Sequence, residues 1–404
     1  MTEAIHYCAG CGARLQTENK NRSGYVPEGA LTKEGAVCRR CFRIRHYNEV
    51  SPVELTADDY RAVLDQIGQS EALVVQIVDI FDLEGSWVRG LPRRIGANPL
   101  LLVANKLDLL PASTNWRRLE QWLRHECLEW GVRPLDVALC SVKKGTGTED
   151  VVQKIEQYRD GRDVYIVGAT NVGKSSFMNR ILKDYGEGEG NEMTTSFYPG
   201  TTLGTVGIPL EDGRELIDTP GIVNEDRLSE RIAPHDLRYV VPTARLNPKV
   251  FQLNAEQTLF FGGLARFDFK RGERQPFVCY GGRELYIHRT KLANADQLYR
   301  EQRGKLLVPP TASGEVAASN PADRLPDSRE GSVSGDPISN DSRLGDPVAA
   351  NALDLTVKRS FRIDGEKTDI VISGLGWLTC RGDAADIDVY VPRGVAVSVR
   401  PAII

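Results

Sequence analysis

The sequence predicts an α/β protein: a mostly parallel sheet covered by helices on both faces, flanked by a small metal-stapled module and a β-rich region. Three observations lead there. Between about residues 55 and 241, buried apolar runs of strand length alternate with amphipathic stretches of helical length. The first 54 residues are short on apolar periodicity and hold two Cys-x-x-Cys pairs. After Pro242 the pattern changes to short segments that alternate apolar and polar residues.

Composition sets the outer limits. A chain of 404 residues, 41% hydrophobic, has ample core for roughly two to four domains. That excludes a wholly disordered chain, a collagen-like fibre and a disulfide-stapled miniprotein. The 51 Lys and Arg nearly balance the 55 Asp and Glu, giving a net charge of -4. The longest apolar runs, such as Pro99 to Ala104, fall short of the about 18 residues that cross a bilayer. Neither a membrane nor DNA is expected as a partner. Met1 to Leu15 carries Glu3, His6 and two cysteines where a secretory signal places a basic patch and an apolar core, so a cytoplasmic protein is expected.

Taken in order, residues 1–54 read as a metal module. Cys8 and Cys11, then twenty-six residues, then Cys38 and Cys41 offer four thiolates for tetrahedral zinc with no place for water, a structural site. Arg39, Arg40, Arg43, Arg45 and His46 cluster around the second pair and could face phosphates. Thr56-Ala-Asp-Asp59 has capping-box spacing and opens a helix ending near Gly68. Strands follow at Leu73–Val78 and Leu100–Val103, then a helix from about Asn115 to Trp130 closed by Gly131. A strand near Val137, a helix after Thr148, a strand at Val164–Val167, a helix from Lys174 and a strand at Glu215–Ile217 complete residues 55–241.

Residues 242–310 and 355–404 read as one β-rich region, with strands at Gln257–Phe261, Arg266–Phe269, Glu284–His288, Asp369–Ser373 and Ala385–Val391. Over 242–310 the local charge is +6, and Phe267, Phe269, Tyr280 and Tyr286 interleave with the cations. Such a surface suits looped or single-stranded RNA; a basic face over inward-pointing aromatics is the plainer alternative. Residues 311–354 are expected to be a disordered linker, because 311–350 holds no aromatic residue, four prolines and a net charge of -4. Cys127, Cys140, Cys279 and Cys380 are single cysteines in apolar stretches, expected in the core.

The chemistry concentrates in four motifs. Gly168-Ala-Thr-Asn171-Val172-Gly173-Lys174-Ser175, followed by Ser176, lies between a strand and a helix. Its backbone amides can cradle phosphates, Lys174 can neutralise the outer ones and Ser175 can ligate magnesium. Forty-four residues after Lys174, Asp218-Thr-Pro-Gly221 ends a strand, where Asp218 can hold magnesium and Gly221 can offer its amide to a γ-phosphate. Between them, Pro199-Gly-Thr-Thr202 supplies a threonine for magnesium, Thr202 or else Thr201. Upstream, Asn105-Lys106-Leu-Asp108 ends a buried strand, where open α/β sheets bind ligands. The Asp108 carboxylate can accept from both donors on the guanine edge, a pair adenine lacks, which argues against an ATP-dependent enzyme. Ser141-Val142-Lys143 can face the base oxygen.

These motifs resemble those of guanine-nucleotide-binding proteins in a permuted order, since the base-recognition pair precedes the phosphate loop. The arrangement is that of the circularly permuted GTPases. With Cys8-Ala-Gly-Cys11 and Cys38-Arg-Arg-Cys41 in front, it narrows to the YqeH-type ribosome-assembly GTPases, over about residues 1–308 and less specifically 355–404. The resemblance implies a circularly permuted P-loop GTPase domain that binds GTP and GDP with magnesium and hydrolyses GTP slowly. It implies a role in small (30S) subunit and 16S rRNA maturation, with the small ribosomal subunit or its precursor and rRNA as partners. Asn171 matches a family position associated with potassium, which could supply catalytic charge where Ile222 replaces the water-orienting Gln of many small GTPases. Lys174, Asn171, Thr202 and Gly221 are thus the expected catalytic group. The alternative function is a nucleotide-gated RNA-binding module whose hydrolysis is incidental.

Overall fold

Strand β1 (Ala72–Asp79) and strand β2 (Leu100–Asn105) are buried along their whole length, as aliphatic strands covered on both faces must be. With β3 (Asp136–Leu139), β4 (Asp163–Val167), β5 (Val206–Pro209) and β6 (Glu215–Asp218) they form a six-stranded sheet in the order β3-β2-β1-β4-β6-β5. All neighbours are parallel except β5 and β6. The computed structural model describes residues 6–9, 14–18, 20, 24–31, 35–39, 41–43, 54–55, 57–185, 205–311 and 353–404.

Side chains of β1 alternate between two hydrophobic layers. Leu73, Val75 and Ile77 pack with Phe177 and Met178 of helix α4 (Lys174–Tyr185) and with Val151 and Ile155 of α3 (Thr148–Arg159). Val74 and Val78 pack with Tyr60, Val63 and Leu64 of α1 (Ala57–Ile67) and with Leu119 and Leu123 of α2 (Trp116–Glu129). Helix α2 starts where expected because the Asn115 side chain accepts from the Arg118 amide.

The β-rich part contains two five-stranded antiparallel sheets. Their strands are β7 (Lys249–Leu253), β8 (Gln257–Phe261), β9 (Ala265–Arg271), β10 (Gln275–Gly281), β11 (Ile287–Lys291), β12 (Val357–Ile363), β13 (Thr368–Ile372), β14 (Gly376–Cys380), β15 (Ala385–Val391) and β16 (Val397–Pro401). The sheet orders are β11-β8-β9-β15-β12 and β16-β13-β14-β10-β7. Shifting every strand of the first order by five gives the second, so the region is an internal two-fold repeat in which the halves exchange two strands. Registers agree: Arg266 faces Tyr390 and, in the other sheet, Trp377 faces Tyr280. Each outer face buries one Thr–Asp hydrogen bond, Thr258 to Asp268 at 2.6 Å and Thr379 to Asp369 at 2.5 Å. Sequence reading overlooks this repeat because Phe261-Gly-Gly-Leu-Ala and Ile372-Ser-Gly-Leu-Gly share a pattern but few identities.

Two expectations need correction. The strand expected at Glu284–His288 runs from Ile287 to Lys291, since the chain turns at Arg283 and Glu284. Phe267, Phe269 and Tyr280 are buried and cannot stack on RNA; only Tyr286, 46% exposed, remains available. Helix α5 (Leu292–Gln302) was not anticipated, although Ala295 and Tyr299 pack beneath it against Phe260. Cys127, Cys140, Cys279 and Cys380 are core residues as expected, and burial pushes the Cys127 and Cys140 thiols up to about 12. The expected linker lies almost wholly outside the described residues.

One sheet of the β-rich region shares a core with the α/β domain: Val278, Tyr280, Val371 and Trp377 pack in the layer containing Phe81 and Trp87. Arg400, in β16, pairs with Glu84 at 2.7 Å and lies over the Trp122 ring. Among the described residues no helix is long and apolar enough to cross a membrane.

Candidate functional site

The carboxyl end of the parallel sheet gathers the chemically active loops. Strand β4 ends at Val167, and the chain turns through residues 168–173 into α4 at Lys174. Two residues make the turn possible. Asn171 adopts a left-handed φ of 61°, which Asn tolerates better than most residues, and Gly173 has φ 101°. A Cβ on Gly173 would lie 2.4 Å from the Asn105 Nδ2 atom, so only glycine fits. Lys174 Nζ donates to the Gly168 and Ala169 carbonyls at 2.9 Å each, which keeps the ammonium over the loop. Val172 is buried; Ser175 and Ser176 occupy the first turn of α4, Ser175 half-buried and Ser176 exposed. A ring of amides, a cation and a helix N-terminus is a competent polyphosphate cradle.

The upstream motif meets this loop from the side. Asn105 donates to the Val172 carbonyl at 2.9 Å and accepts from the Val142 amide at 3.0 Å, so one buried side chain fixes three loops. Lys106, at φ 70°, donates to Asp79 at 2.6 Å. Asp108 accepts from the Ser141 hydroxyl at 2.6 Å, which orients its carboxylate. Asp108, Ser141 and Lys143 line a cavity of about 730 Å³. Residues far apart in sequence, 105–108, 141–143 and 168–175, therefore share one edge of the sheet, because β2 and β4 flank β1.

Asp218 is buried at the end of β6. Beyond it, Gly221–Ile222 forms a short parallel pair with Glu54–Leu55. Ile222 also bonds to the phosphate loop, accepting from the Thr170 amide at 2.8 Å and donating to the Gly168 carbonyl at 3.3 Å. A Cβ on Gly221 would come within 2.9 Å of Lys174 Nζ and 3.1 Å of the Thr170 amide nitrogen, so this approach demands glycine.

Sequence reasoning missed a buried ion cluster here. Arg227 donates to Asp82 at 2.7 Å, to the Thr170 carbonyl at 3.2 Å and to Glu230 at 3.3 Å, while the Thr170 hydroxyl donates to Glu230 at 3.2 Å. Burial opposes the Arg227 charge, yet Asp82, Asp79 and Glu230 together hold its pKa above the ordinary value. The same cluster reaches the β-rich region: the Gly374 amide donates to Asp82 at 3.0 Å, and the Leu228 amide donates to the Ser373 carbonyl at 2.8 Å. Asp79 ends a buried strand at the ligand edge and Asp82 closes the 3-10 turn that follows it, a signal the sequence did contain. Arg227 belongs to no short motif.

In the N-terminal module Cys8, Cys38 and Cys41 are buried with their sulfurs within 4.8 Å of one another, and the Cys38 amide donates to the Cys8 sulfur at 3.1 Å. Three convergent thiols with an amide on one sulfur fit a metal-thiolate centre. Arg39 and Arg43 are described nearby; Cys11, Arg40, Arg45, His46, Thr201 and Thr202 lie outside the described residues.

Family models match two parts of the chain: one described as YqeH-like, C-terminal, over residues 274–326 and 343–403, and one described as 50S ribosome-binding GTPase, over residues 163–253. The chain is 47% identical over 397 residues to YqeH of Bacillus subtilis (strain 168), covering 98% of this chain and 99% of that protein. It is 32% identical over 356 residues to NO-associated protein 1, chloroplastic/mitochondrial, of Arabidopsis thaliana, covering 78% of this chain and 63% of that protein. Among solved structures, GNP-bound YlqF from T. maritima has 20% identity and a TM-score of 0.29, covering 43% of this chain and 61% of that one.

Proposed function

Because the chain belongs to the YqeH family of circularly permuted GTPases, we propose that it is a GTP-operated switch in assembly of the small ribosomal subunit and maturation of its 16S rRNA. GTP binding and hydrolysis come with the family; the particle, the metal ions and the residue roles are our reading. The phosphate loop and Lys174 hold the polyphosphate, Asp108 reads guanine, and Ser141, Val142 and Lys143 face the base oxygen. Ser175, Thr202 (or Thr201) and Asp218 hold magnesium, which neutralises phosphate charge when bound. Gly221 meets the γ-phosphate. Cys8, Cys11, Cys38 and Cys41 hold structural zinc. The site of action is the cytoplasm.

The observation that carries this reading is the buried path from the phosphate loop to the β-rich domain through Thr170, Arg227, Asp82 and Gly374. A change at Gly221 is transmitted along that path to the hairpin between β13 and β14, which is what a switch needs. Ile222 brings no polar side chain to orient water, so intrinsic turnover is slow and depends on potassium at Asn171. Turnover several-fold faster in potassium than in sodium is expected; equal rates remove that role. Cosedimentation with purified 30S and 50S particles, in a GTP analogue and in GDP, tests the partner. Analogue-dependent binding to 30S particles supports the proposal. Binding only to 50S particles, which the name of the matched GTPase model would suit, sinks it. The missing water-orienting side chain also favours the second reading, nucleotide-gated RNA binding; Lys174→Ala that loses RNA solely through lost nucleotide affinity would support it.

A further inference from the structure

The stretch joining the two domains does not cross open space. Residues 242–248 lie over the base-recognition loops before entering β7. The Thr243 carbonyl accepts from Lys143 Nζ at 2.7 Å, and the Leu246 amide donates to the Leu109 carbonyl at 2.7 Å. Leu246 is 5% exposed, anchored in the same apolar layer as Leu109 and Leu110. The connector is thereby fastened to both loops, one ending in Asp108 and the other carrying Lys143. Thr243, Ala244 and Arg245 form a wall of the cavity of about 730 Å³ that holds Asp108 and Ser141. Asp108, Ser141 and Lys143 line that cavity and no phosphate-loop residue does, which is the lining a base and ribose end would have. Arg245 is exposed and can swing over a bound base, where a planar guanidinium stacks on a π face.

We propose that the connector Pro242–Leu246 is a working part of the guanine site, with Arg245 setting affinity at its base and ribose end. The inference rests on the cavity being the guanine site. Coupling between sites is reciprocal: whatever the connector adds to base binding, a bound base returns as order in the connector. The β-rich domain is therefore tied to the nucleotide twice. The Arg227 cluster touches the phosphate loop at Thr170, where a change at the γ-phosphate would reach it through Gly221. The connector reads the base, common to GTP and GDP, and distinguishes nucleotide-bound from nucleotide-free protein.

The test compares GTP and GDP affinities of the full chain with those of Arg245→Ala and Arg245→Lys, together with hydrogen exchange of amides 242–248 with and without GDP. Arg245→Ala should weaken GTP and GDP by the same factor, roughly three- to tenfold, with Lys recovering part of the loss. The connector amides should exchange more slowly when GDP is bound. Two results overturn the inference while leaving the guanine site standing: wild-type affinity in Arg245→Ala with exchange unchanged by GDP, or a loss confined to GTP, which would place Arg245 at the γ-phosphate. A wild-type chain that binds no guanine nucleotide removes the guanine reading, and the connector inference falls with it. Arg245 is exposed, so an unchanged melting temperature confirms that the variants are folded.

Discussion

Asp108 and Arg227 sit at opposite ends of the proposed site and are legible in the sequence to different degrees. Asp108 stands out in the sequence through its motif, and the structure adds the Ser141 hydroxyl that fixes its carboxylate. Asp108→Asn exchanges one acceptor for a donor, so GTP affinity should fall roughly a hundredfold or more while xanthosine triphosphate gains. Competition between the two nucleotides measures it, and unchanged GTP affinity removes the specificity argument. Arg227 was invisible because its meaning comes from three carboxylates and a carbonyl that only folding assembles. Arg227→Ala leaves Asp82 buried and unpaired, which should cost about 3–5 kcal/mol of stability. Beyond that loss, the hairpin at Ser373–Gly374 should respond equally to GTP analogue and GDP in limited proteolysis; a retained difference would mean that the switch signal takes another path.

At the scale of elements, periodicity placed every strand and helix of the α/β sheet that it proposed, because a strand covered on both faces and an amphipathic helix each write a burial pattern into the chain. It missed α5, the edge strand β5, and β7, β10, β12, β14 and β16 of the β-rich region; β10 and β14 lie inside their sheet, and β14 is buried along its whole length, so neither alternates buried and exposed positions. One junction lends itself to a pH test. Asp136, at the start of β3, accepts from Arg124 of α2 and Tyr158 of α3 and pairs with Lys154 of α3 at 3.0 Å. Burial would raise its pKa, but Arg124, Lys154 and the Val137 amide outweigh burial and bring it to about 2. The folded state therefore holds the carboxylate more firmly than the unfolded chain does. That contribution is complete above the ordinary value of 3.8 and disappears as pH falls from there toward about 2. Acid unfolding of Asp136→Asn should lose this step, and an unchanged acid profile would show that the three elements are held by packing alone.

For the whole molecule, the decisive feature is that two domains share one core and one buried ion cluster. Glu126 of α2 faces Arg400 and Glu84, and its Oε1 atom finds no hydrogen-bond partner among the described residues. Burial raises its pKa; Arg400 opposes and Glu84 adds to the rise. The folded state thus favours protonated Glu126, and the domain junction weakens as pH climbs past the ordinary carboxylate range. Glu126→Gln should raise the melting temperature at about pH 7 and have little effect at about pH 4. A stabilisation equal at both pH values would trace the effect to packing instead.

The sequence by itself determined the sheet of alternating strands and helices and the phosphate loop, and it marked Asn105 to Asp108 and the paired cysteines as candidates for base and metal binding. Each is a local signal: a burial period, a glycine that a backbone turn requires, or a donor spacing. Only the tertiary structure decided that Phe267, Phe269 and Tyr280 point inward, that the β-rich region is an internal repeat with exchanged strands, and that Arg227 and the 242–248 connector join the β-rich domain to the Thr170 loop and to the loops of Leu109 and Lys143. Those features depend on pairings across tens to hundreds of residues, where burial and hydrogen bonding are settled by neighbours that no local pattern names.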